Sequence, residues 1–170
     1  EAQHALPEYV VEKLVGEAFS RLDRNAQMVM QALAVYARPV PPVAVDFLLQ
    51  PYVQAADSAQ TLRHLVNMHF VRKESGRYLL HPIDCDYALS RVAAAPDSNR
   101  QDGKPDLTQQ SLRRRAADYF KKTVTPRDSW KTIEDLAPQL NEFDLRCAAG
   151  AAGDYEEAAT QQRMQALMAY

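Results

Sequence analysis

The sequence predicts a mainly α-helical fold carrying one small β hairpin, and three observations predict it. Apolar residues recur through most of the chain at the spacing that lines one face of a helix. Between Phe70 and Leu80 that period is replaced by two short strand-like runs around Gly76. Prolines fall at the junctions of the periodic segments, at Pro7, Pro41, Pro51, Pro82 and Pro126, where a helix can start or must stop.

Pro7 suits a helix start, and Val10, Val11, Leu14, Val15 and Phe19 make residues 8–19 an amphipathic helix. Asp23 caps a second helix with a stripe of Ala26, Val29, Met30, Leu33 and Ala34, ending before Arg38-Pro39. Pro39-Val40-Pro41-Pro42 is a stiff connector. A short apolar helix over 43–49 stops near Pro51, and a third helix from about Asp57 carries Leu62, Leu65 and Val66. Phe70-Val71-Arg72-Lys73 and Tyr78-Leu79-Leu80 flank a turn of Glu74-Ser75-Gly76-Arg77 and form a hairpin. Three helices followed by a hairpin is the order of a winged helix, a helix-turn-helix core with a β wing behind its third helix.

After Pro82 a helix runs over 83–92. Residues 93–106, rich in Ala, Pro, Asp, Ser and Asn, read as a linker or disordered loop. A helix over 107–122 has a basic shoulder, Arg113-Arg114-Arg115, and an aromatic end, Tyr119-Phe120, before Thr125-Pro126 breaks it. A longer helix from Asp128 to about Ala149 carries Trp130, Ile133, Leu136, Leu140, Phe143 and Leu145, and Pro138 predicts a kink or break in it. Asp154 caps a last helix with Tyr155, Ala158, Ala159, Met164 and Leu167. The expected organisation is a linking helix over 1–22, a winged helix over 23–92, a linker over 93–106 and α-α hairpins over 107–170.

With 46% hydrophobic residues, 170 residues suffice for one respectable core or two small ones. A net charge of −2 gives no global reason to bind nucleic acid or an anionic membrane, and no apolar run approaches the ~20 residues that span a bilayer. A soluble chain is expected. Cys85 and Cys147 lie far apart and outside any C-x-x-C pattern, which indicates neither zinc nor a disulfide framework and fits a reducing cytoplasm. The chain opens on Glu1 with no basic-then-apolar leader, so its N-terminus reads as a boundary inside a longer protein.

Leu22-Asp23, Met30 through Tyr36, Pro39-Val40, Leu62, Leu65-Val66, Phe70-Val71 and Gly76 through Pro82 together resemble the winged-helix domain of NB-ARC-type signal-transducing ATPases. Such chains place an effector, a P-loop domain and a small helical domain before the winged helix, and a repeat sensor after it. Leu145-Arg146-Cys147 and Ala152 through Ala158 are similar to the start of tetratricopeptide-like repeats. The resemblance implies a switch whose ADP/ATP state is sensed by the winged helix, with an upstream nucleotide-binding domain of the same chain and a protein or peptide ligand on the repeats as partners. It also implies that His81, in Leu80-His81-Pro82, occupies the place of the family's Met-His-Asp histidine, which touches the β-phosphate of ADP. Leu80 and Pro82 depart from that motif and remove its carboxylate, a role Asp84 is placed to take.

The chain holds no G-x-x-x-x-G-K-[ST] run, since Gly103-Lys104 lacks the earlier Gly and precedes Pro105; it is not expected to be an enzyme, and hydrolysis falls to the parent chain. No metal cluster and no catalytic set is indicated, and Cys85 near His81 reads as coincidence. Two other functions fit the same elements. A DNA-binding regulator would read bases with Gln60, Arg63 and Asn67, beside His64, and touch backbone with Arg72, Lys73 and Arg77. A repeat scaffold would bind peptides through 107–170. Arg113-Arg114-Arg115 with Lys121-Lys122 reads as a solvated helix face, and Trp130, Phe143 and Tyr155 read as packing residues.

Overall fold

The computed structural model describes residues 8–53, 57–94 and 107–150. The chain is mainly helical with a two-stranded hairpin amid the helices, and it divides into two compact units, Glu1–Val92 and Ala93–Tyr170. The first holds α1 (Glu8–Ser20), α2 (Arg24–Tyr36), α3 (Pro42–Leu49), α4 (Ser58–Asn67), β1 (Val71–Glu74), β2 (Arg77–Leu80) and α5 (Pro82–Ser90). The second holds α6 (Gln109–Thr123), two single 3₁₀ turns (Arg127–Ser129 and Ile133–Leu136) and α7 (Ala137–Ala148).

Local chemistry sets the helix starts. Asp23 accepts from the Ala26 N–H at 2.8 Å and Asp57 from the Gln60 N–H at 3.3 Å, so each carboxylate satisfies a donor the helix leaves open. α3 and α5 each begin on proline, whose missing N–H has no partner to lose there. α2 is buried nearly all round, with Met30, Leu33 and Tyr36 almost inaccessible, and forms the centre of the first unit. Tyr36 Oη donates to the Ala44 carbonyl at 2.9 Å, fixing α2 against α3. Ser58 joins α3 to α4: its N–H donates to Asp46 Oδ1 at 3.0 Å and its hydroxyl to the Pro42 carbonyl at 3.1 Å.

The hairpin is antiparallel with Val71 opposite Leu80 and Glu74 opposite Arg77, so the turn is Ser75-Gly76, shorter than the expected four residues. Ser75 (φ 47°) and Gly76 (φ 78°) both take positive φ, as a tight two-residue turn requires. Val40, expected in a mere connector, exchanges both backbone hydrogen bonds with Tyr78 (3.0 and 2.8 Å) and so adds a one-residue third strand to the hairpin. α5 packs on α1 and α2. Tyr87 lies edge-on to Phe19, ring centroids 5.5 Å apart, above Gly16, where any Cβ would stand 2.9 Å from the Tyr87 hydroxyl.

In the second unit the Gln109 N–H reaches the Ala93 carbonyl at 2.7 Å, and Thr108 with Ser111 forms a capping box at the start of α6. α6 and α7 pack through Leu112, Ala116, Ala117, Phe120 and Leu145. Arg146, only 3% exposed, pairs with the equally buried Glu142 at 3.1 Å and with Asp118 at 3.1 Å.

The long helix expected over 128–149 is corrected. Asp135 Oδ2 accepts from the N–H groups of Lys131 and Thr132 (2.7 and 2.9 Å), which closes a 3₁₀ turn, and α7 starts only at Ala137. Of the kink or break expected at Pro138 the structure shows the break: Pro138 sits in the first turn of α7, where proline is tolerated. Most of the linker read over 93–106, the residues around Pro7 and the last helix with its Asp154 cap lie outside the described residues.

Candidate functional site

His81 stands at the junction of β2 and α5 as the N-cap of α5, and it is exposed. Its Nδ1 accepts from the Ile83 N–H in a long hydrogen bond of 3.4 Å. A ring nitrogen that accepts carries no proton, so the capping tautomer of the neutral ring holds its proton on Nε2. Among the described residues Nε2 makes no hydrogen bond, which leaves an N–H donor free for an anionic acceptor.

Asp84, one turn into α5, was expected to orient this ring, but no hydrogen bond joins the two side chains among the described residues. The backbone of Ile83 takes that role, which a sequence does not announce because a main-chain donor has no sequence signature. Asp84 is half-buried, and burial raises its pKa, with the charge of His81 pulling it back down. Cys85 donates to the Ala34 carbonyl at 3.4 Å, and burial followed by Asp86 and Asp84 pushes its thiol pKa up. A thiol held protonated and turned into α2 is no nucleophile for His81 to activate.

The residues weighed for DNA contact fall into two groups. Gln60, Arg63, His64 and Asn67 occupy one stripe of α4 and all are exposed, opposite the buried face of Ser58, Leu62 and Leu65. The hairpin divides its cations. Lys73 shares a face with Val71 and lies 5.7 Å from the centroid of the Tyr78 ring, while Arg72 stands on the other face, with Leu79 opposite it. Arg77, opposite Glu74, shares the face of Arg72.

In the second unit Arg113 Nη1 donates to the Ala148 carbonyl at 2.7 Å, closing the C-terminal end of α7, so the basic shoulder of α6 is partly a helix cap. Trp130 donates to the Thr125 carbonyl at 3.1 Å, and Tyr155 lies outside the described residues. Among the described residues no group of three or more His, Cys, Asp or Glu could hold a metal ion, and no helix is long and apolar enough to cross a membrane. No family model, curated protein or solved structure compared with this chain matches it.

Proposed function

We propose that the first unit is a winged-helix coupling module that docks on a nucleotide-binding domain, and that the second unit opens a helical-repeat protein-binding region. The parent is then a signal-transducing ATPase of the NB-ARC type, acting in the cytoplasm, with ADP or ATP bound by its upstream domain. The observation that carries this reading is His81: an exposed imidazole at the β2–α5 junction whose Nδ1 is occupied by the helix cap and whose Nε2–H is free. Such a donor is suited to a diphosphate oxygen.

The order α2, α3, α4, β1, β2 and the Val40–Tyr78 pairing support the winged-helix part of the reading, and the α6–α7 hairpin supports the repeat part. In this mechanism ADP favours the docked state because His81 contacts it only there. A ligand on the repeats favours release, and the two ligands oppose each other through that one equilibrium.

The test uses a longer protein that includes the upstream domain, purified and denatured to identify retained nucleotide. Stoichiometric ADP is expected in the wild type and its loss in His81→Ala. His81→Asp separates fold from function, since Asp keeps the cap but repels phosphate. It is expected to melt no lower than wild type yet retain no ADP. ADP retained by both variants, or no nucleotide in the wild type, overturns the proposal.

A further inference from the structure

α7 is apolar on two sides. Glu142, Leu145 and Arg146 are buried, and Arg146 reaches Asp118 of α6, so this side faces α6. Leu136, just before the helix, and Leu140, Phe143 and Cys147 within it stand at i, i+4, i+7 and i+11 and line the side turned away from α6. Leu140 is 42% exposed, Cys147 is exposed, and Leu136 and Phe143 are only half-buried. A helix pair standing alone keeps polar residues on its outer sides, whereas a helix apolar on both sides packs on both.

Three features identify what covers this second side. α7 ends at Gly150, whose φ of 68° and N–H donating to the Cys147 carbonyl at 3.1 Å turn the chain out of the helix. Asp154, the expected cap of the next segment, follows after only Ala151, Ala152 and Gly153, a connection of the length that joins antiparallel helix neighbours. The sequence from Asp154 to Tyr170 then sets Tyr155, Ala158, Ala159, Ala166 and Ala169 on one face at helical spacing. Alanines let that face approach closely, and Leu140 and Phe143 are the large side chains that fill the space against them. A second copy of the chain is a poorer occupant. Three large side chains offer far less than the ~800 Å² per partner of a stable interface, whereas a tethered segment is held at high effective concentration.

We infer that residues 154–170 dock as a helix on the side of α7 lined by Leu136, Leu140, Phe143 and Cys147, antiparallel to it, and cover the Cys147 thiol. This extends the helical-repeat reading of the second unit, on which it rests, by closing this side of α7 to a protein ligand. Neither His81 nor nucleotide enters it, so its failure and a failure of ADP retention are told apart.

The test is the rate at which an aromatic disulfide reagent modifies Cys147 in the whole 170-residue chain, read apart from Cys85 by mass spectrometry of peptides and compared with the urea-unfolded chain. Cys147 is expected to react at least about tenfold more slowly in the folded chain, a docked-to-open ratio of about ten. Ala159→Asp sets a carboxylate against Leu140 and Phe143, and Leu140→Asp alters a side chain that faces away from α6. Each is expected to abolish most of the protection. Gln161→Asp, off the apolar face, is expected to keep it. Trp130, the one tryptophan of the chain, donates to the Thr125 carbonyl in the stretch between α6 and α7, and its unchanged emission shows that the pair stays folded. Cys147 reacting as fast as in the unfolded chain overturns the inference, as does protection that survives Ala159→Asp. Release of Cys147 accompanied by a shift in Trp130 emission also overturns it, and so does protection that rises with protein concentration, which assigns the face to a second copy.

Discussion

Asp84 shows how one side chain carries an opposed pair of influences. Its carboxyl is half-buried beside His81, and desolvation dominates, raising its pKa from 3.8. The native state therefore binds a proton more readily than the unfolded chain, and ionising Asp84 costs stability. That cost is absent below pH 3.8, grows as pH rises toward the raised native pKa, and is fully present above it. Asp84→Asn removes the charge and is expected to raise the melting temperature at pH 7. The advantage should close as pH falls to about 4, because the wild-type carboxyl is then protonated too. Thermal melts of both proteins across pH 4 to about 8 decide it. An advantage that persists unchanged at low pH shows that lost desolvation is not the cause. The same residue marks a limit of sequence reading: Asp84 sits at the right spacing to hold His81, yet its environment makes it a reluctant anion.

At the scale of elements, what was legible followed from residues whose effect is local. Asp23 and Asp57 start helices, Pro42 and Pro82 stand at first turns, and Gly76 turns the hairpin, each acting within its own few residues. What was missed depends on distant partners. Val40 gave no strand signal because prolines flank it, and only Tyr78 makes it one. A break near Pro138 was legible, but not its mechanism, in which Asp135 accepts two backbone N–H groups upstream and so competes with continuing the helix through them. Glu142 and Arg146, at helical i,i+4 spacing, resemble a surface pair in sequence, but α6 buries them. Removing one buried partner strands the other's charge, so Glu142→Ala is expected to cost about 3 kcal/mol, the low end for such pairs because Asp118 remains. Glu142→Leu combined with Arg146→Met should return to within about 1 kcal/mol of wild type. Urea denaturation of the two variants checks this. Equal losses in both would mean that Arg146 contributes through packing more than through charge.

For the whole molecule, the sequence made the order of elements legible, whereas the site became legible only in part. His81 stood out by its position, but its tautomer and free Nε2 follow from the Ile83 N–H. The two units also differ in what holds them. The first surrounds α2 with α3, α4, α5 and the hairpin and buries Met30, Leu33, Tyr36, Leu48, Leu62 and Leu65 almost completely. The described part of the second is a helix pair whose apolar contact is small and which relies on a buried ion pair, an arrangement that contributes little net stability over apolar packing. A fragment of residues 8–94 is therefore expected to unfold in one cooperative transition, and a fragment of 107–150 to show helical circular dichroism without a sharp melt. Calorimetry of each fragment tests the difference. A cooperative heat-absorption peak from 107–150 would place more stability in the Arg146 network than its buried area supplies, whereas a broad transition from 8–94 would mean that the α2-centred core needs the rest of the chain to hold it.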